Sequence, residues 1–176
     1  MISRLKTIAI CIAAVTLAGC ADIEPLGVLK FRFSVAGVQP GTSVAKEVEE
    51  RMGQPAEKIS LADGSSAWFY PRQRAERQTV AVRFSSDGVV RSVEETLEPE
   101  LLRRIVPATS TSRQVRELIG PPVEVVRVPN LEREAWRYLV FDAMHIKQVL
   151  ELQFSADGIL RLVTYTRDRT EASGAY

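Results

Sequence analysis

The 176-residue chain is 45% hydrophobic and 26% charged, an ordinary globular composition for one domain or two small ones. Its 23 Lys and Arg stand against 22 Asp and Glu, a net charge of +1 that leaves no electrostatic footprint for nucleic acid. Two Cys and one His fall short of the roughly four ligands of a Cys/His zinc site, and a Ser-His-Asp or Cys-His nucleophile would rest on His145 alone. Arg4 and Lys6 open the chain, and an uncharged apolar run follows from Ile8 to Leu17. About ten residues is half the length of a bilayer span. A basic start and a short apolar core fit a secretory signal.

Leu17-Ala18-Gly19-Cys20 closes that run. It resembles the lipobox of bacterial lipoproteins, which implies a signal peptide over residues 1–19 and Cys20 as the acylated first residue of the mature chain. Several acyl chains anchor stably where one anchors marginally. A plain membrane-anchor helix and a cleaved soluble secretory signal are the competing readings. Ala21, rather than Asp, follows Cys20, which in such lipoproteins implies sorting to the outer membrane. With Cys11 lost in the signal and Cys20 modified, no disulfide is expected. Residues 20–37 then read as a lipidated tether. Within it Leu29, Phe31, Phe33 and Val35 alternate with Lys30, Arg32 and Ser34, as in an extra strand.

The rest is a tandem repeat. Val48 to Pro55 returns as Val115 to Pro122, 67 residues on; Trp68-Phe69-Tyr70 as Trp136-Arg137-Tyr138, 68 on; Phe84 to Arg91 as Phe154 to Arg161, 70 on. Three matches in order, with an offset that drifts one way, indicate duplication with small insertions. The units span 38–98 and 99–166, and a polar tail covers 167–176. A unit of about 60 residues is marginal alone, so the two are expected to share an interface.

Each unit predicts a helix and a four-stranded antiparallel meander, an α+β fold built twice. In unit one Ser43 reads as an N-cap, with Val44, Val48 and Met52 on one helix face. In unit two Thr111 and Gln114 form a capping box ahead of Val115, Leu118 and Ile119. Gly53-Gln54-Pro55 and Gly120-Pro121-Pro122 stop the helices. Strands are predicted over 58–61, 67–70, 79–84 and 89–96, and over 123–128, 135–141, 149–154 and 159–166. Trp68 shares a sheet face with Tyr70, and Trp136 with Tyr138; packing under the helices is their expected role. Val80, Val82 and Phe84 lie on one face against Arg83, and Leu150, Leu152 and Phe154 against Glu151 and Gln153. Asp87-Gly88 and Asp157-Gly158 mark hairpin turns. The last strands put Val89, Arg91 and Val93 on one face, and Ile159, Arg161 and Val163 likewise. A short helix over 100–105 bridges the units.

Taken in order, the lipobox, the capped helix ending in Gly53-x-Pro55 or Gly120-x-Pro122, Trp68-x-Tyr70 or Trp136-x-Tyr138, the strand ending in Phe84 or Phe154, and then Gly88 or Gly158 resemble the SmpA/OmlA, or BamE-like, family of outer-membrane lipoproteins. The units depart from it in lacking Asp-Pro-Phe before the Trp, in the shifted Gly41-Thr42-Ser43, and in being two. The paired arrangement also resembles the β-lactamase inhibitor protein architecture. The resemblance implies a lipid-anchored, non-enzymatic protein without cofactor or metal, on the periplasmic face of the outer membrane, with subunits of the β-barrel assembly machinery as partners. A periplasmic inhibitor or binding module using the concave face of its sheets is the alternative. Arg72, Arg74 and Arg77 cluster before the third strand and could meet anionic lipid or an acidic partner; a solvated hairpin loop is the plainer reading. His145 reads as a turn residue, and Glu94, Glu95, Glu98 and Glu100 as a solvated edge, since the spacing of a calcium loop is missing.

Overall fold

The computed structural model describes residues 35–168. The expected signal, Cys20, the expected tether through Ser34 with most of its alternating stretch, and the expected tail from residue 169 lie outside the described residues. The first unit runs α1 (Ala45–Met52), β1 (Glu57–Ser60), β2 (Ser66–Pro71), α2 (Gln73–Glu76), β3 (Thr79–Phe84) and β4 (Val90–Glu95). The second runs α3 (Pro99–Leu102), α4 (Ser112–Ile119), β5 (Glu124–Val128), a 3-10 turn (Pro129–Leu131), β6 (Arg133–Phe141), β7 (Lys147–Ser155) and β8 (Leu160–Arg167). The strands form two four-stranded antiparallel meanders in sequence order, so the fold is α+β with two sheets and few helices.

One face of each sheet lies under its own helix. Val48 and Met52 of α1 pack on Trp68, Tyr70, Val80, Val82 and Phe84. Val115 and Ile119 of α4 pack on Trp136, Tyr138, Leu150, Leu152 and Phe154. Trp68 and Phe84 stack with centroids 4.8 Å apart, and Trp136 and Phe154 with centroids 4.7 Å apart, both tilted by 54°. Such pairs add roughly 0.5–1.5 kcal/mol beyond their buried area.

The structure corrects several local expectations. Val44, not Ser43, is the N-cap of α1, and its side chain caps nothing. Valine has no acceptor, so only the reciprocal half of a capping box remains, from the Val44 N–H to Glu47. Ser43 instead accepts from the Gln39 N–H. In unit two both halves of the Thr111–Gln114 box are made. The bridging helix is shorter and earlier than predicted, with Pro99 at its start. The segment before β3 is the helical turn α2 rather than an open loop.

The last strands also differ. Phe84 pairs with Val90 and Arg83 with Ser92, so Arg91 is a bulged extra residue. Phe154 pairs with Leu160 and Gln153 with Leu162, so Arg161 is its counterpart. A bulge shifts the period-2 alternation by one. The core-facing residues are therefore Val90 and Val93, and Leu160 and Val163, while Arg91 and Arg161 face solvent.

Candidate functional site

The residues that mark the repeat hold helix to sheet. Gly53 and Gly120 follow α1 and α4 with φ of 77° and 84° and ψ of −167°, a region open essentially to glycine. The Tyr138 hydroxyl donates to the Gly120 carbonyl at 2.9 Å, and Tyr70 to Gly53 at 3.3 Å. Burial raises the pKa of both hydroxyls, that of Tyr70 to about 12. The Gly-x-Pro and Trp-x-Tyr motifs are thus the two halves of one contact. Pro55 and Pro122 follow the turn and end the helical path. At the β3–β4 and β7–β8 hairpins, Asp87 and Asp157 each accept from a serine hydroxyl and a backbone N–H. Those bonds hold both carboxyls below the usual carboxylate range, led by the serine bond. Gly88 and Gly158 take positive φ in the same turns.

The far face of the first sheet is covered by the second unit, through its helix end. Arg83 ion-pairs with Glu94 through Nε and donates to the Glu117 and Leu118 carbonyls at 3.1 and 3.0 Å. The Thr96 hydroxyl donates to the Ile119 carbonyl at 2.9 Å, and the Gln73 amide to the Pro121 carbonyl at 3.2 Å. With the Gly120 N–H on the Arg116 carbonyl, each carbonyl from Arg116 to Pro121 has a protein donor. A helix ordinarily leaves its last four carbonyls without intrahelical partners, and a cation there also meets the negative end of the dipole. Phe69 completes the cover: a Cβ added to Gly120 would stand 2.5 Å from its ring.

The arginine cluster is split by this arrangement. Arg77 is buried with φ of 52°. It pairs with Asp168 at 2.5 Å, each side chain 8% exposed, and lies over the Phe141 ring. Neither the solvated-loop reading nor the lipid or partner contact describes Arg77, because its guanidinium is engaged inside the protein. Arg72 pairs with Glu76 at 2.6 Å across α2. Arg74 is exposed and is the member of the cluster left to face a partner. His145 sits exposed on the β6–β7 turn, stacked on Phe141 at 5.4 Å. Of the acidic run, Glu94 holds Arg83, Glu95 and Glu98 accept from Gln78, and Glu100 pairs with Arg103.

The second sheet's far face carries a groove of about 820 Å³, floored by Leu139, Val149 and Thr166 and rimmed by Arg74. Arg137 crosses it, giving Nε to Glu151 at 2.9 Å and Nη1 to Glu124 at 3.2 Å. Those bonds raise the Arg137 pKa, the Glu151 bond foremost, and Glu151 is lowered by its Gln153 bond and then by Arg137. Sequence reasoning missed Arg137 because it stands between the motif residues Trp136 and Tyr138. Among the described residues no group of three or more His, Cys, Asp or Glu is placed to hold a metal ion, and no helix is long and apolar enough to cross a membrane.

No family model matches the chain, and neither does any curated protein. Among solved structures it is similar to a DUF4309 family protein (YjgB) from Bacillus subtilis subsp. subtilis str. 168. That match is 15% identical, covers 76% of this chain and 84% of that one, and has a TM-score of 0.30. An extracellular protein containing a SCP domain from Bacillus anthracis str. Ames is also 15% identical, over 85% of this chain and 51% of that one, with a TM-score of 0.29. Scores this low carry no argument about fold or function.

Proposed function

We propose that the chain is a lipid-anchored, non-enzymatic scaffold on the periplasmic face of the outer membrane, built of two BamE-like repeats and acting beside subunits of the β-barrel assembly machinery. The observation that carries this reading is the lipobox-like Leu17-Ala18-Gly19-Cys20 ahead of two units whose shared residues are structural. Gly53, Tyr70, Gly120 and Tyr138 join helix to sheet, and Trp68, Phe84, Trp136 and Phe154 fill the cores. Motif residues spent in this way fit a shared fold rather than a shared catalyst, and leave the work to outer surfaces. In this scheme acyl chains on Cys20 hold the protein at the membrane, the tether sets its reach, and the sheets present edges and the Arg74-rimmed groove to a partner.

A second reading, a periplasmic module that caps or inhibits a soluble enzyme, is favoured by that same groove. Affinity purification of the full chain after gentle detergent extraction separates the two. Co-elution of barrel-assembly subunits, lost when Cys20→Ala moves the protein to the soluble periplasmic fraction, is the expected result. Elution with one soluble hydrolase, unaffected by that substitution, would favour the capping module instead.

A further inference from the structure

Among the described residues the repeat leaves two halves of one contact unmated. Inside the chain, the first sheet's far face grips the end of α4 through Arg83, Thr96 and Phe69. The equivalent end of α1 has no such cover among the described residues. Among the described residues no side chain or backbone N–H donates to the carbonyls of Glu50, Arg51 or Met52, and open space faces Gly53 where Phe69 faces Gly120. The second sheet's far face is bordered by the α2 turn, through Gln73 at Leu139 and Arg77 at Gln148 and Asp168, and among the described residues no end of α1 or α4 lies on it. Register places Gln153 where Arg83 stands, Thr166 where Thr96 stands and Arg137 where Phe69 stands, since Trp68 pairs with Val82 and Val93 follows it, as Trp136 pairs with Leu152 and then Val163.

We infer that the C-terminal end of α1 of a second copy of this chain docks on the far face of the second sheet, repeating between molecules the contact that joins the units within one. The chemistry is complementary. A helix end carries partial negative charge and unfilled carbonyls. The face supplies donors in the Gln153 amide, the Thr166 hydroxyl and the Arg137 guanidinium. Arg137 is braced by Glu151 through Nε, as Arg83 is braced by Glu94. The two surfaces differ, so the contact is head to tail and can propagate. It is also weak. Arg137 replaces the apolar seal of Phe69, Glu151 replaces Ala81, and Glu124 comes to face Glu49, where Glu57 faces Arg116 within the chain. Such an association matters where anchoring concentrates the protein on a surface.

Sedimentation velocity of the full chain in density-matched detergent, from micromolar to submillimolar protein, tests it. Wild type is expected to associate reversibly with rising concentration. Gln153→Glu with Thr166→Asp sets carboxylates against the incoming carbonyls and should leave only monomer, with an unchanged far-UV spectrum. Gln153→Arg with Thr164→Glu rebuilds the Arg83–Glu94 arrangement on the second sheet and should tighten association about tenfold, the scale of one charge-assisted hydrogen bond. Wild type that stays monomeric throughout overturns the inference, as does association indifferent to both pairs of substitutions. None of these readouts depends on the membrane role proposed above.

Discussion

Tyr70 and Tyr138 occupy the same place in the two units and differ in what surrounds the hydroxyl. Tyr138 and its acceptor are fully buried and 2.9 Å apart, whereas the Tyr70 bond is 3.3 Å long and partly open to solvent. Removing a buried donor strands its acceptor, at roughly 1–3 kcal/mol. Water can replace a donor near the surface. Tyr138→Phe is therefore expected to lower unfolding free energy in urea by about 1–3 kcal/mol, and Tyr70→Phe by less than half of that. Equal losses, or the reverse order, would show that the hydroxyls are not what joins helix to sheet.

At the scale of the element, what ends each helix also decides what packs against it. Gly53 and Gly120 share a backbone conformation closed to L side chains, and alanine at either position incurs roughly 1–3 kcal/mol of strain. Among the described residues only Gly120 adds a collision, because its Cβ would enter the Phe69 ring, while Gly53 faces open space. Overpacking adds roughly 1–3 kcal/mol. Gly120→Ala should thus destabilise clearly more than Gly53→Ala in chemical denaturation, and Phe69→Leu should recover much of the difference. Failure of Phe69→Leu to narrow that gap would place the cost in the backbone alone. The two glycines look alike in the sequence, and this is where sequence reading stops. Helix stripe, Gly-x-Pro stop, Trp-x-Tyr and Asp-Gly turn are short-range patterns fixed by period and turn chemistry, and they are legible. Arg83, alternating with Val82 and Phe84, reads only as lying on the opposite face; its partners at Glu117 and Leu118 lie 34 and 35 residues away. Arg77, read within a basic cluster, answers Asp168 at a separation of 91. No local period reports contacts of that range. The bulges at Arg91 and Arg161 escape for another reason: an extra residue keeps every residue type plausible while reversing which face it serves.

For the molecule as a whole, the interface between units is made by groups that neither unit can satisfy alone. Without the second unit, Phe69, Ala67 and Ala81 would present an apolar far face to water; all three are completely buried in the intact chain. Without the first unit, the α4 carbonyls from Glu117 to Ile119 lose the Arg83 and Thr96 donors, and Pro121 loses Gln73. The Leu139 N–H also loses its bond to Gln73 at 3.2 Å. Units of this size are marginal even when complete, and each unpaired buried group would cost roughly 1–3 kcal/mol, comparable with the few kcal/mol available to so small a core. The two repeats should therefore unfold together rather than one after the other. The chain carries its own probes, since Trp68 reports on the first core and Trp136 on the second. In urea, Trp136→Phe leaves fluorescence from the first unit and Trp68→Phe leaves it from the second. After allowance for each variant's own stability by circular dichroism, the fluorescence and dichroism midpoints are expected to coincide in both. A fluorescence transition that leads or trails the dichroism in opposite senses for the two variants would mean independent domains, and the helix-end contacts would then be docking without cooperativity.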